Sequence, residues 1–206
     1  MLWSIVIPVK TTQSGKSRLE LPGAERPQLA LAIALDTVAA AASAEAVGEV
    51  LVVTSDADVQ AGVEQIAGAT WIPDPGMGLN GAARAGLERA THDARAAMLG
   101  DLPALTGSDL DEALAAAQGE ERALVADADD VGSVLVTWRT PATFEPRFGT
   151  ASAAQHIDAG HTALDVDVPT LRRDVDTVDQ MRAAHALGLG PRTSALLASA
   201  RNRAAA

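Results

Sequence analysis

The chain reads as an α/β protein built on a mostly parallel sheet, and three observations predict it. Short apolar runs alternate with segments of helical length from the first residues onward, the mark of βαβ units. Runs such as the VLVV within EVLVVT of residues 49–54 are continuously apolar, as buried strands are. A further run, residues 96–99, ends in Gly100-Asp101-Leu102-Pro103. Pro103 has no N–H to donate and stops strand pairing, which leaves Asp101 at the carboxyl edge of the sheet, where open α/β folds bind ligands.

Taken in order, residues 2–9 are β-branched and apolar and predict the first strand, stopped near Pro8. Residues 10–22 form a polar loop or short helix, and 28–42 an Ala/Leu helix. A strand over 49–54 runs into Ser55-Asp56, a helix N-cap signal for 58–66, followed by a short strand at 70–73. The loop Asp74-Pro75-Gly76-Met77-Gly78 then leads to Asn80 as the expected N-cap of a helix over 81–95. Next come the 96–99 strand, a helix over 108–118 and a strand at 123–126. After Asp127 the rhythm changes: a strand at 133–138, a loop over 144–156 entering a short helix, and a strand at 162–168. Helices at 177–187 and 191–201 close the chain, so residues 1–202 read as one domain and 203–206 as a frayed tail.

At 206 residues the chain is long enough for one domain with a full core, and 48% hydrophobic with 21% charged residues is a globular composition. With aromatics at 2% and no Tyr, that core must be packed with Ala, Val, Leu and Ile. A net charge of −11 argues against general nucleic-acid binding, but a few local cations can still hold a nucleotide's phosphates. The absence of cysteine excludes disulfides, thiolate metal sites and a catalytic thiol. No basic leader followed by an apolar stretch and no run of membrane-spanning length is evident, so a cytoplasmic protein is expected.

Five segments carry candidate chemistry, two of which are taken together. The first, Lys10-Thr11-Thr12-Gln13-Ser14-Gly15-Lys16-Ser17-Arg18-Leu19, leaves the first strand with three cations. Backbone N–H groups and cations there suit a triphosphate, with a solvated basic turn as the lesser alternative. Gly15-Lys16-Ser17 matches the end of a Walker A loop, but position 10 is Lys where that pattern needs Gly. The second is the loop 74–80, where Gly76 and Gly78 allow close backbone approach to a flat ligand and Asn80 offers an amide or a cap. The third joins Asp101 to Asp174-Val175-Asp176. In an extended segment both of those carboxylates face one side, and hard divalent ions take one or two carboxylates plus substrate phosphates. Capping of the next helix by Asp176 or Thr177 is the plain alternative, and the acidic run 127–130 reads as a solvated loop. The fourth is Arg147-Phe148-Gly149-Thr150-Ala151-Ser152, a second anion pocket at a helix start, with His156 read as structural.

In combination and in this order, these segments resemble the 2-phospho-L-lactate/phosphoenolpyruvate guanylyltransferases of deazaflavin coenzyme F-420 biosynthesis. The resemblance rests on Lys10 with Lys16-Ser17-Arg18-Leu19, Asp74 to Asn80, Gly100 to Leu105, Phe148 to His156, and Asp174 to Thr177, and it covers nearly the whole chain. It implies a single-domain, Rossmann-like nucleotidyltransferase fold with a mostly parallel mixed sheet flanked by helices. It further implies transfer of GMP from GTP to phosphoenolpyruvate, forming enolpyruvyl-diphospho-guanosine and releasing pyrophosphate. Position by position, Lys10, Lys16 and Arg18 would act on the triphosphate, and Gly78, Leu79 and Asn80 would bind the nucleotide. Asp101, Asp174 and Asp176 would hold Mg²⁺, and Ser133, Gly149 and Ser152 would bind the acceptor acid. The chain departs from the family at Gly15, where Ala is common, at Ser133, where Thr is, and at Gln155, where a basic residue often stands.

Phosphoenolpyruvate is favoured over 2-phospho-L-lactate or 3-phosphoglycerate because the resemblance is nearest to the actinobacterial branch. A molybdenum-cofactor-type nucleotidyltransferase lacks support in the missing Gly-rich entry loop near residue 10. A P-loop NTPase is disfavoured by Lys10, and a catalytically silent nucleotide binder by the three acidic residues. Hand-over of the product to a downstream transferase is compatible with this chemistry.

Overall fold

A computed structural model describes residues 1–12, 19, 21, 24–139 and 144–204. The strands are β1 (Trp3–Pro8), β2 (Val47–Thr54), β3 (Ala69–Pro73), β4 (Ala94–Met98), β5 (Arg122–Ala126), β6 (Ser133–Trp138) and β7 (Thr162–Ala163). The helices are α1 (Arg26–Ser43), α2 (Ala57–Val63), α3 (Gly78–Arg89), α4 (Gly107–Ala117), α5 (Ser152–Asp158), α6 (Pro169–Arg172), α7 (Val178–Leu187) and α8 (Pro191–Ala204). They build one seven-stranded sheet in the order β3-β2-β1-β4-β6-β5-β7. All neighbours are parallel except at β6, which runs antiparallel to both β4 and β5. The expected mixed, mostly parallel sheet is therefore present.

Both faces of the sheet are covered, which is why its strands are continuously apolar. Along β1, Trp3, Ile5 and Ile7 pack with α1, α2 and α4 on one face, while Val6 packs with α3 on the other. A third cluster joins α1 to α7 and α8 through Ile33, Met181 and Leu197. Among the described residues no helix is long and apolar enough to cross a membrane.

Several elements differ from the sequence reading: α2 ends at Val63 and not at 66, β4 begins at Ala94 and not at 96, and α6 was not expected, while three further differences have a visible cause or extent. Helix α3 starts at Gly78 and stops at Arg89, where 81–95 was expected, and Asn80 is not its cap. It stops early because the Glu49 carboxylate takes both the N–H (2.6 Å) and the hydroxyl (2.8 Å) of Thr91. Arg95 is thereby released into β4, and its guanidinium caps the carbonyls of Leu87 and His92. The strand expected over 162–168 pairs only at Thr162 and Ala163. The Leu164 N–H still reaches Leu124, but the next β5 carbonyl, Ala126, is occupied by Arg172 Nε at 3.2 Å. Helix α8 continues to Ala204, beyond the expected end at 201.

Candidate active site

A cleft of about 570 Å³ opens at the carboxyl edge of the sheet. The carboxyl ends of β1, β4 and β5 face it, and because β6 runs the other way, its first residue, Ser133, faces it too.

The Gly100-Asp101 turn follows β4 and is held from four directions. A Cβ on Gly100 would lie 3.1 Å from both Ile7 and Val9, so the turn packs directly on the end of β1. The Leu102 N–H donates to the buried Thr37 hydroxyl at 3.0 Å, and the Gly190 N–H to the Pro103 carbonyl at 2.8 Å. The Val175 N–H donates to the Asp101 carbonyl at 3.1 Å, which joins this turn to the distant Asp174-Val175-Asp176 segment. Val175 is buried among Leu19, Ile33 and their neighbours, so its two flanking aspartates turn toward the cleft, as the two-residue period requires.

Asp101, Asp174 and Asp176 each present a carboxylate oxygen, and these oxygens lie within 4.8 Å of one another. Three convergent carboxylates, with no sulfur or imidazole among them, make a donor set for a hard divalent cation. The capping alternative is resolved in favour of Thr177, whose side chain and Gln180 form a reciprocal capping box at α7. The Asp176 carboxylate is a member of the cluster and not the cap of α7.

Ser133, Gly149 and Ser152 also line the cleft. Gly149 has φ of 138°, a conformation that glycine adopts without strain. The Ser133 N–H donates to Ser152 Oγ at 2.8 Å, and Ser133 Oγ lies 2.9 Å from Nδ1 of the fully buried His156. Nε2 of the same ring accepts the Arg147 N–H at 2.9 Å. Burial above all, with the neighbouring His161 and Arg147, holds His156 down at about 4 and hence neutral.

The entry loop is described as far as Thr12, and Lys10 lines the cleft. Asp56 anchors it: one carboxylate oxygen accepts the Thr12 N–H and hydroxyl, both at 2.8 Å, while the other caps α2 as its sequence position predicted. Burial raises the affinity of Asp56 for a proton, but the bonds from Thr12, Val59 and Asp58 together hold it below the usual carboxylate range. Lys16 and Arg18 lie outside the described residues.

The 74–80 loop is tied to the 148 turn. Asn80 grips the Phe148 backbone at two points, its Nδ2 donating to the carbonyl at 3.0 Å and its Oδ1 accepting the N–H at 2.8 Å. Of the three residues expected on the nucleotide, only Leu79 lines the cleft; Gly78 and Asn80 do not. Gly76 and Gly78 serve turn geometry, with φ of 74° and 72°, and a Cβ at either would meet nothing within 4 Å.

Two cleft features were not anticipated. Asp127 lines the cleft, and its loop is ordered: the carboxylate accepts the N–H groups of Asp129, Val131 and Gly132. Ala30, Ile33 and Ala34 supply an apolar wall from α1, which periodicity alone assigns to the core. The turn-forming Asp-Ala-Asp-Asp-Val-Gly run ahead of a strand was the available signal for Asp127.

Residues 3–177 match the family model described as guanylyl transferase CofC like. Curated relatives called phosphoenolpyruvate guanylyltransferase include one from Thermomonospora curvata, 46% identical over 96% of this chain and 90% of its own length. Another, from Geodermatophilus obscurus, is 45% identical over 96% of this chain and 95% of its own. Among solved structures, a candidate nucleotide-diphospho-sugar transferase from Desulfovibrio desulfuricans superimposes with a TM-score of 0.69 at 19% identity, covering 98% of each chain. A nucleotidyl transferase from Methanothermobacter does so with a TM-score of 0.61 at 15% identity, over 90% of this chain and 97% of its own. These two speak for the fold, a nucleotidyltransferase α/β sheet. The sequence match spans strand, turn and carboxylate cluster alike, and the chain belongs to the CofC-like guanylyl transferase family.

Proposed function

We propose that the protein transfers GMP from GTP to phosphoenolpyruvate, as the names of its curated relatives indicate for them. A phosphate oxygen of the acceptor attacks the α-phosphorus of GTP. The bond to the bridging oxygen breaks, and pyrophosphate leaves with the electron pair. The observation that carries this reading is one cleft lined by two unlike sets of groups, the cluster of Asp101, Asp174 and Asp176, and the serine hydroxyls with a glycine turn. Such a cleft suits two anionic reactants held against each other, one through a cation and one through neutral donors.

Asp101, Asp174 and Asp176 would hold Mg²⁺, whose charge offsets that of the triphosphate and of the departing pyrophosphate. Lys10 adds a cation at the mouth of the first strand, and Lys16 and Arg18 are assigned the same role from the sequence. Ser133, Gly149 and Ser152 take the acceptor acid. The enzyme would act in the cytoplasm in deazaflavin coenzyme F-420 biosynthesis and pass its product to a downstream transferase.

Purified protein with Mg²⁺ and GTP should release pyrophosphate only when phosphoenolpyruvate is added. Parallel reactions with 2-phospho-L-lactate, 3-phosphoglycerate and ATP in place of GTP rank the acceptors and the bases. A higher kcat/KM with either other acid would move the assignment to that acid, and phosphate release from nucleotide alone would overturn it.

A further inference from the structure

His156 is fully buried behind the acceptor wall and both ring nitrogens are engaged. The Arg147 main chain offers Nε2 only an N–H, which can donate and nothing else, so Nε2 must be the unprotonated nitrogen. A neutral imidazole then carries its single proton on Nδ1. Ser133 Oγ, 2.9 Å away, accepts from that N–H, which also faces the Ser152 carbonyl one turn back in α5, and Ser133 keeps its own hydroxyl proton for another partner. The other contact of Ser133 uses its backbone N–H, given to Ser152 Oγ. The ring has little freedom to turn over, with Phe148 and His161 edge-on at 5.5 and 5.3 Å.

We propose that His156 is a positioning residue that orients Ser133, its Nδ1–H holding the serine oxygen so that the hydroxyl proton points into the cleft and donates to an anionic oxygen of the acceptor acid. This rests on the reading of the Ser133–Ser152 wall as the acceptor site. Histidine supplies what an aliphatic residue of the same size lacks: a fixed donor on one side and a fixed acceptor on the other.

The test has two parts. Nitrogen-15 NMR of the ligand-free wild-type protein reads the tautomer directly and needs no substrate. The Nδ1–H form is expected, and an Nε2–H or doubly protonated ring at pH 7 overturns the proposal. Steady-state kinetics then compare Ser133→Ala, His156→Asn, His156→Leu and the Ser133→Ala/His156→Leu double variant. Asn can place an amide N–H where Nδ1–H stood, and Leu cannot; both leave the Arg147 N–H equally deprived. Ser133→Ala and His156→Leu should each raise the KM for phosphoenolpyruvate by about 10-fold, the loss of one hydrogen bond to a charged group, with KM for GTP within 2-fold. His156→Asn should recover most of that loss, and the double variant should be no worse than Ser133→Ala alone. Additive losses, or equal rises in both KM values, would make His156 merely structural. If wild-type protein fails to use phosphoenolpyruvate, the acceptor reading fails, while the tautomer measurement still decides the orientation of Ser133.

Discussion

Asp101 shows how a single side chain acquires a function from its surroundings. Its backbone carbonyl takes the Val175 N–H, so its peptide ties two distant segments together while its carboxylate joins the acidic cluster. Asp101→Asn keeps the shape and the backbone bond but removes a charge from the proposed metal site. Mg²⁺-dependent pyrophosphate release should fall by on the order of 10²–10³-fold, the loss seen when one preorganised charge-stabilising group is removed. Circular dichroism and the melting temperature should stay at wild-type values. Undiminished turnover would remove Asp101 from the metal site. Asn80 shows a side chain acting through a neighbour, since its amide grips the Phe148 backbone at both the carbonyl and the N–H and fixes the turn that precedes Gly149.

Among the elements, α8 illustrates how a distant helix braces the site. Asp36, buried in the middle of α1, accepts the N–H groups of Arg192 (3.1 Å) and Thr193 (2.8 Å) at the start of α8. A negative charge there also complements the positive end of the helix. Just ahead of that start, Gly190 donates to Pro103 in the Asp101 turn. Asp36→Ala strands one buried and one half-buried donor and should cost about 1–3 kcal/mol, read as a lower urea midpoint with an unchanged slope. An unaltered midpoint would mean that the α1–α8 contact is held by Ile33 and Leu197 alone. The shortened β7 makes a related point: a strand ends where its partner's carbonyl is already taken, and Arg172 takes it.

For the molecule as a whole, the buried imidazoles set an acid limit. His156 sits at about 4 when folded against 6.5 for an ordinary histidine, so the unfolded chain binds the extra proton first as pH falls. The sign is therefore destabilising on acidification: the contribution is complete above 6.5 and is lost progressively down to about 4. Its size is on the order of 3 kcal/mol. His161, lowered chiefly by burial, acts in the same direction. Asp56 and Glu49, held below the usual carboxylate range, add losses only at more acidic pH. Urea midpoints taken between pH 7 and pH 4.5 should fall in the wild type and fall less in His156→Asn. Taking the difference between the two proteins cancels the changing repulsion of a chain with net charge −11. Parallel curves would show that His156 binds a proton equally well in the folded and unfolded chain and would remove it from the acid limit.

Much of this organisation was legible in the residues themselves. Apolar runs alternating with helical segments specify the sheet, Gly100-Asp101-Leu102-Pro103 specifies a carboxylate at its edge, and Asp-Val-Asp specifies two carboxylates on one side, because each depends only on local period and on what proline and glycine permit. Other features depend on partners far away in the chain and were beyond such reading. The end of α3 is set by Glu49, the end of β7 by Arg172, and the use of Asn80 by Phe148. Above all, the antiparallel insertion of β6 between β4 and β5 brings Ser133 to the same edge as Asp101. The sequence by itself determined which chemistry the protein carries. Only the tertiary structure decided which groups face one another across the cleft, because strand order and direction come from packing between residues distant in the chain and not from local propensity.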